Sequence, residues 1–324
     1  MSVLVTGGAG FIGSVVADQL RAHGEQVVII DDLSRGHREV VDSDVPFYQA
    51  AVGDTAAVRR IVEEQGVDAC IHFAGLIAVG ESVDEPALYW RRNVAESISL
   101  FETLSDLGVE NAVFSSSAAV YGDPIEVPIP ENHPKAPTSP YGNTKMVVEM
   151  VLEDLSAAGR LEAVSLRYFN AAGATDRRRE RHDPETHLIP LALRAARQGT
   201  PMMIFGTDWP TPDGTAVRDY IHVSDLASAH VRAIDYLRGG GATTALNLGV
   251  GHGASVREVL TTTEAVTGLP IDAVESPRRA GDPAVLVAAS DRAGSVLGWS
   301  PGTTDLGEIV ESAWRWEADG PPSQ

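Results

Sequence analysis

Cysteine is almost missing from this chain: Cys70 stands alone among 324 residues. No intrachain disulfide can form, thiol catalysis has little material, and a reducing compartment is expected. Cations are scarce as well, with 25 Lys and Arg against 45 Asp and Glu and a formal charge of −20. That excess of carboxylates sets the surface against nucleic acid or an anionic membrane as main partner. An anionic substrate stays open, because a few local Arg residues are enough to meet it. Long apolar runs are also absent, none approaching the roughly 18 residues of a membrane span. Met1-Ser2-Val3 leads straight into a first strand, so no signal peptide and a cytoplasmic location are expected. The 9 His are scattered, without His-Glu-x-x-His or Cys/His ligand spacing, and no metal is expected.

What is present is alternation. Apolar strand-like runs at Val3–Thr6, Gln26–Asp31, 46–51, 69–73, 112–116 and 163–169 are separated by helical patterns at 10–23, 54–65, 83–107 and 140–158. Several of these helices run out at Gly24, Gly66, Gly108 and Gly159. Apolar strands alternating with helices imply an α/β fold, a doubly wound parallel sheet of Rossmann type covered on both faces. After Asn170 the composition shifts to loops such as 176–184 and 210–215, with shorter elements between them. The expected division is a dinucleotide-binding domain over 1–171 and a smaller, partly interleaved substrate lobe over 172–324. Part of 215–252 is expected to return to the first sheet. The tail Pro321–Gln324 is expected to fray.

Thr6-Gly-Gly-Ala-Gly-Phe-Ile-Gly13 follows a strand and opens a helix, the context that a dinucleotide fingerprint requires. Gly7 and Gly8 suit a tight turn, Gly10 lets backbone approach a pyrophosphate, and Gly13 permits close helix–strand packing. The helix N-terminus adds amide donors and a positive dipole end. Asp31, closing the second strand about 20 residues on, can accept from the ribose hydroxyls of NAD and repels the 2′-phosphate of NADP. Asp54 can meet an adenine amine, cap the helix that follows, or do both.

Ser117 follows the fifth strand at the carboxyl edge, where ligands of such sheets bind. Tyr141 and Lys145 are four residues apart, and helical spacing places them on one face. A phenol beside an ammonium near a helix N-terminus has its anion favoured by both fields. That is a proton-transfer group suited to a sugar hydroxyl, with Ser117 sharing the hydrogen bond. No Gly-x-Ser-x-Gly frames the serine, so it is not a nucleophile elbow. In the C-terminal half, Arg218 and Arg279 can clamp a diphosphate or serve as structural ion pairs, and Asp282 can accept from ribose hydroxyls or pair with an Arg.

With these motifs the chain resembles the extended short-chain dehydrogenase/reductase superfamily, and within it the UDP-glucose 4-epimerase family. The likeness runs nearly end to end, through Phe73-Ala-Gly-Leu-Ile-Ala-Val-Gly-Glu-Ser82, Leu166-Arg-Tyr-Phe-Asn170, Val217-Arg-Asp-Tyr-Ile-His-Val223, Asn247-Leu-Gly and Pro277-Arg-Arg-Ala-Gly-Asp282. It implies reversible inversion at C4 of UDP-glucose and UDP-galactose through a 4-keto sugar, with NAD as a retained cofactor. Ser117, Tyr141 and Lys145 are then catalytic. Gly7, Gly10, Phe11, Ile12, Gly13, Asp31, Asp32, Leu33, Ser34, Arg35, Gly36, Asp54, Thr55, Phe73, Ala74, Gly75, Leu76, Ile77, Asn93 and Phe169 surround the coenzyme with Tyr141 and Lys145. Asn170, His187, Leu188, Phe205, Arg218, Arg279 and Asp282 join Ser117 and Tyr141 around the nucleotide-sugar. Relatives pair through the helices at 83–107 and after Tyr141, so a homodimer is implied.

The departures are Ile77 where a Lys is frequent, Ala119 for a frequent Thr, and His187 for a common Asn. Leu286, of middle size, stands at the position that lines the sugar pocket, which leaves UDP-N-acetylhexosamines and UDP-pentoses open as substrates. A nucleotide-sugar dehydratase is disfavoured because Ala118 and Ala119 occupy the places of its Asp-Glu pair. A silent NAD-binding protein is disfavoured because Tyr141 and Lys145 are both kept.

Overall fold

The computed structural model describes residues 1–279 and 281–319; the tail 321–324 lies outside them. Seven parallel strands form the central sheet. Six come in chain order: β1 (Ser2–Thr6), β2 (Gln26–Asp31), β3 (Phe47–Gln49), β4 (Val67–His72), β5 (Asn111–Ser117) and β6 (Glu162–Tyr168). The strand Thr244–Leu248 adds at the edge, so the spatial order runs from it through β6, β5, β4, β1 and β2 to β3. The order reverses direction at β1 and β4, which places the switch point between their carboxyl ends. The doubly wound Rossmann sheet expected from the alternation is therefore the fold.

The strands are apolar on both faces because helices cover both. Val3, Val5, Ile29, Val113, Val164 and Leu246 are buried with α1 (Phe11–Ala22) on one side. Leu4, Val28, Ile30, Cys70, Ala112 and Ala163 are buried on the other with α2 (Thr55–Gln65). Asp54 caps α2, accepting from Ala57 N at 3.0 Å, and Gly66 closes it in the left-handed region.

The stretch expected as one helix over 83–107 is broken. It runs as α3 (Val79–Asp84), α4 (Pro86–Tyr89), a π-helical turn Trp90–Ala95 and α5 (Glu96–Asp106). Pro86 cannot continue α3 and instead starts α4. The wide turn adds one residue to the repeat and carries Asn93 inward, a use of π-turns common at functional sites. The helix α6 (Pro140–Ala157) then runs back across β5 and β6, capped by Ser139, whose Oγ accepts from Gly142 N. Beyond Asn170, α7 (Leu188–Gln198) and α8 (Val223–Arg238) belong to different layers: α8 packs on the central sheet, α7 on the C-terminal half.

Candidate active site

The glycine loop crosses from β1 to α1. Gly7 takes φ +67, and a Cβ at Gly13 would sit 2.3 Å from the Gly7 carbonyl oxygen, so only glycine lets α1 start this close to the strand. Beneath the loop runs a hydrogen-bonded chain that motif spacing did not reveal. Thr6 Oγ1 accepts from Ala74 N at 3.2 Å and contacts His72 Nδ1 at 2.7 Å, while His72 Nε2 contacts Ser97 Oγ at 2.8 Å. Ser97 Oγ donates onward to the Asn93 carbonyl at 2.6 Å. Because Ser97 spends its proton there, His72 carries its own on Nε2 and accepts from Thr6. Burial pushes His72 down to about 3, with the Lys145 charge acting the same way.

Asn93 holds the next loop. Its Oδ1 accepts from Leu76 N at 2.8 Å, and its Nδ2 donates to Leu76 O at 2.9 Å and Thr144 Oγ1 at 3.2 Å. Phe73, Ala74, Gly75, Leu76 and Ile77 are thereby fixed beside the glycine loop.

At the end of β2, Asp31 is buried and ties two backbone segments, accepting from Ala9 N at 3.0 Å and Leu33 N at 2.8 Å. Burial raises its pKa, and those two amides oppose the rise. Among the described residues, Leu33 is the one non-glycine with positive φ, at 61°, so the 31–36 loop is strained around this carboxylate. Asp32 is held elsewhere, by Ser34 and by Arg92. Arg35 pairs with Glu81 at 2.7 Å, and Arg38 lies over the Phe47 ring at 4.6 Å. The two cations nearest in sequence to Asp31 are thus engaged away from it, which suits a ribose without a 2′-phosphate.

The proton-transfer group is assembled by close packing. A Cβ at Gly142 would lie 2.5 Å from the Ala119 carbonyl oxygen, so glycine allows the first turn of α6 to press onto the Ala118–Val120 turn after Ser117. That contact brings Tyr141, 9% exposed, beside Ser117 and next to Leu76 and Tyr89. Lys145, 3% exposed, donates from Nζ to the Ser115 carbonyl at 2.8 Å and lies 5.8 Å from the Tyr141 ring centroid. A Cβ on Gly75 would be 4.0 Å from that same Nζ, which places the ammonium between the phenol and the coenzyme loop.

Electrostatics differ from the expectation built on spacing. Burial pushes the Tyr141 phenol above its ordinary value, with the Ser117 hydroxyl working in the other direction. Burial likewise brings Lys145 down to about 8, against a pull upward from Glu149. The helical spacing implied two acidifying fields; it could not show how deeply the phenol is buried, and burial acts against them.

The C-terminal half brings several expected nucleotide-sugar residues together. Arg218 and Leu286 are register partners in a small sheet, and Leu286 and Phe169 both pack against the cluster of Ala118, Val120, Tyr121 and Ile129. Arg218 Nη1 donates to the Val217 carbonyl at 2.9 Å, and its nearest carboxylate, Asp282, is 3.9 Å away. Burial lowers the Arg218 pKa despite that neighbour. Arg279 stacks its guanidinium 3.8 Å from the Phe205 ring centroid. Asn170 donates its amide to the Asp219 carbonyl at 2.9 Å. His187 precedes α7 and Leu188, with Nδ1 2.8 Å from Glu185 Oε1. Burial lowers the His187 pKa, but Glu185 and Glu180 more than offset it and leave it raised.

Behind Lys145 on α6 lies a second group that the motifs did not mark. Glu149 receives Arg167 at 2.7 and 2.9 Å and Ser116 Oγ at 2.5 Å, all buried. Its spacing of four residues from Lys145 was a visible signal, since it puts both on one helix face.

The model of the NAD dependent epimerase/dehydratase family matches residues 3–249. The UDP-glucose 4-epimerase of Corynebacterium glutamicum is 49% identical over 319 residues, 98% of this chain and 95% of that one. The crystal structure of UDP-glucose 4-epimerase from Brucella ovis in complex with NAD superposes with a TM-score of 0.94 at 43% identity, covering 97% of each chain. The UDP-glucose 4-epimerase from Stenotrophomonas maltophila with bound NAD and formylated UDP-arabinopyranose gives 0.95 at 40%, covering 98% of each. The glycine loop, the buried Tyr141–Lys145 pair at the switch point and this near-complete likeness together place the chain in the NAD dependent epimerase/dehydratase family, among the UDP-glucose 4-epimerases.

Proposed function

We propose that the protein interconverts UDP-glucose and UDP-galactose by reversible epimerisation at C4, with NAD retained on the Gly7–Gly13 loop. The observation that carries this is the position of Tyr141, buried beside Ser117 at the carboxyl edge, with Lys145 between it and Gly75. Asp31 would hold the adenosine ribose, the 73–77 loop would line the pyrophosphate side, and Phe169 would sit near the nicotinamide. Bound there, NAD supplies a hydride acceptor for C4 that can return the hydride to the other face of the 4-keto sugar.

The chain's own residues handle the proton and the tether. Tyr141 takes the proton from O4 and gives it back, so it must exist as phenolate when oxidation begins. Its buried setting disfavours that anion, the Ser117 hydroxyl favours it, and the Lys145 ammonium 5.8 Å from the ring centroid would add a favourable charge. Ser117 positions O4. Arg218 is a desolvated guanidinium with only a distant carboxylate partner, a setting that favours a bound diphosphate. Arg279, Phe205, Asn170, His187, Leu188 and Asp282 would complete the hold on UDP, leaving the sugar free to turn over.

The same geometry suits a second reading in which UDP-pentoses are also substrates. The pocket wall at Leu286 is of middle size, and a relative carries a UDP-arabinopyranose derivative. In this division of labour residues 1–171 and the strand Thr244–Leu248 hold the coenzyme, and the rest of 172–324 holds the nucleotide-sugar. A homodimer would pair through α5 and α6, where Ile98 and Met150 are 39% and 48% exposed. No described helix is long and apolar enough to cross a membrane, and the single Cys70 is buried and free, in keeping with a cytoplasmic enzyme.

The test uses purified protein without added cofactor, given UDP-galactose, UDP-N-acetylgalactosamine and UDP-xylose, with products identified. Conversion of UDP-galactose to UDP-glucose is expected, and turnover of none of the three overturns the reading. Tyr141→Phe should keep its NAD and lose roughly a thousandfold in turnover; near-native turnover would remove Tyr141 from the proton path.

A further inference from the structure

The Arg-rich loop after Asn170 is exposed at Asp176, Arg177 and Arg181, yet it is tied down at both of its sides. Thr175 closes a tight turn, accepting at Oγ1 from Arg178 N at 2.9 Å and donating its amide to the Arg178 carbonyl at 2.9 Å. The root of the turn is tied to the C-terminal helix, where Trp316 Nε1 donates to the Thr175 carbonyl at 2.7 Å. From this turn two guanidiniums cross to the dinucleotide half. Arg177 Nη2 reaches both oxygens of Asp42 at 2.7 Å, and Arg178 Nη2 reaches Asp18 at 2.9 Å and Asp42 at 3.1 Å. Further along, Arg181 pairs with Glu39 at 2.9 Å, and its carbonyl lies 3.2 Å from His37 Nε2.

The acidic partners Asp18, Glu39 and Asp42 belong to α1 or to the loop after β2, and the guanidiniums that cross to them follow Asn170; Arg21 of α1 also pairs with Asp42, at 2.7 Å. Between the two sides is a cavity of about 160 Å³ whose floor is Gly10 and Phe11 of the glycine loop and whose roof includes Arg178. Among the described residues Arg178 Nε is buried there without a hydrogen-bond partner, a donor that an anionic ligand could take up. Asp42 is partly buried, which alone would raise its pKa, yet the two guanidiniums bring it down to about 2. The charge network is therefore intact throughout the neutral range.

We propose that Arg177 and Arg178, paired with Asp18 and Asp42, are positioning residues that latch segment 175–182 over a dinucleotide seated on the glycine loop. Coenzyme then leaves only after the pairs open. This rests on the NAD reading above and gives a physical source for retention across the turnover cycle, in which the coenzyme is regenerated and has no need to exchange. Because the pairs are partly solvent-exposed, the latch is sensitive to salt.

The test is the rate at which bound NAD in the purified holoenzyme exchanges with excess isotopically labelled NAD. Asp42→Asn should raise that rate roughly tenfold at low salt, and Asp42→Glu should restore most of it. Salt near 1 M, where the Debye length is about 3 Å, should bring the natural protein toward the variant. Asp106→Asn removes a surface partner of Arg59 and Arg160, neither of which pairs with the 175–182 segment, and should leave exchange unchanged. If Asp42→Asn does not fold, Arg177→Gln with Arg178→Gln carries the same expectation. Retained NAD with equal exchange rates in variant and natural protein overturns the latch alone. Protein that purifies with no NAD overturns both the latch and the functional reading beneath it.

Discussion

Two histidines buried as neutral rings should make this protein acid-labile well above the carboxylate range. His72 lies between Thr6 and Ser97, and His230 between the Tyr168 hydroxyl and the Leu226 carbonyl, at 2.7 Å from the latter. In each ring one nitrogen already donates and the other accepts from a hydroxyl, so a second proton meets a hydrogen-bond donor in a dry site. Burial puts His72 at about 3 and His230 at about 4, against 6.5 for an ordinary imidazole. The folded state thus binds fewer protons than the unfolded one below pH 6.5. Stability is lost as pH falls, from about 6.5 down toward the folded values. At pH 5 the unfolded imidazole is protonated about thirtyfold over neutral, and RT ln 30 is about 2 kcal/mol for each ring. The pair therefore removes about 4 kcal/mol between pH 7 and 5, a large share of a typical folding free energy of about 5–15 kcal/mol. Urea unfolding at both pH values, at equal NAD occupancy, measures the loss. His72→Gln and His230→Gln keep a neutral donor and acceptor, and each should shrink the pH 7-to-5 loss by about 2 kcal/mol. An undiminished loss in both variants would refute the assignment of these rings as the acid-sensitive groups.

Glu149→Gln leaves the Arg167 guanidinium buried without its counter-ion and should cost about 3–5 kcal/mol in urea unfolding. Glu153→Gln, on the exposed side of the same helix, is the control and should cost under about 1 kcal/mol; equal effects would mean the buried pair contributes nothing special. Gly13→Ala places a methyl group 2.3 Å from the Gly7 carbonyl oxygen and should yield folded protein stripped of NAD, read from the absorbance ratio at 260 and 280 nm. Full NAD occupancy in that variant would show that the loop can yield.

Residues close together in sequence were readable wherever the requirement was local. The turn at Gly7–Gly13, the acidic end of β2 and the four-residue step from Tyr141 to Lys145 each arise from one strand–turn–helix unit. The unbroken helix expected at 83–107 was a misreading of the same kind of signal. Its apolar period continues through Pro86, but the π-turn that carries Asn93 inward answers to Leu76 and Thr144, which lie far away in sequence. The Thr6–His72–Ser97 chain was illegible for a related reason. Its members sit on two strands and a helix that meet only once β1 and β4 are in register.

The sequence alone determined the class of sheet, the coenzyme loop and the chemical identity of the proton-transfer group, because period, glycine and spacing act over a few residues. Tertiary structure decided what those groups feel. It buried the Tyr141 phenol, which pushes its pKa up, and it set Glu149 against Arg167 across 18 residues. It also bent an Arg-rich loop, readable only as solvated chain, onto two carboxylates more than 130 residues away in sequence. Desolvation and ion pairing depend on which distant surfaces meet, and no local pattern carries that information.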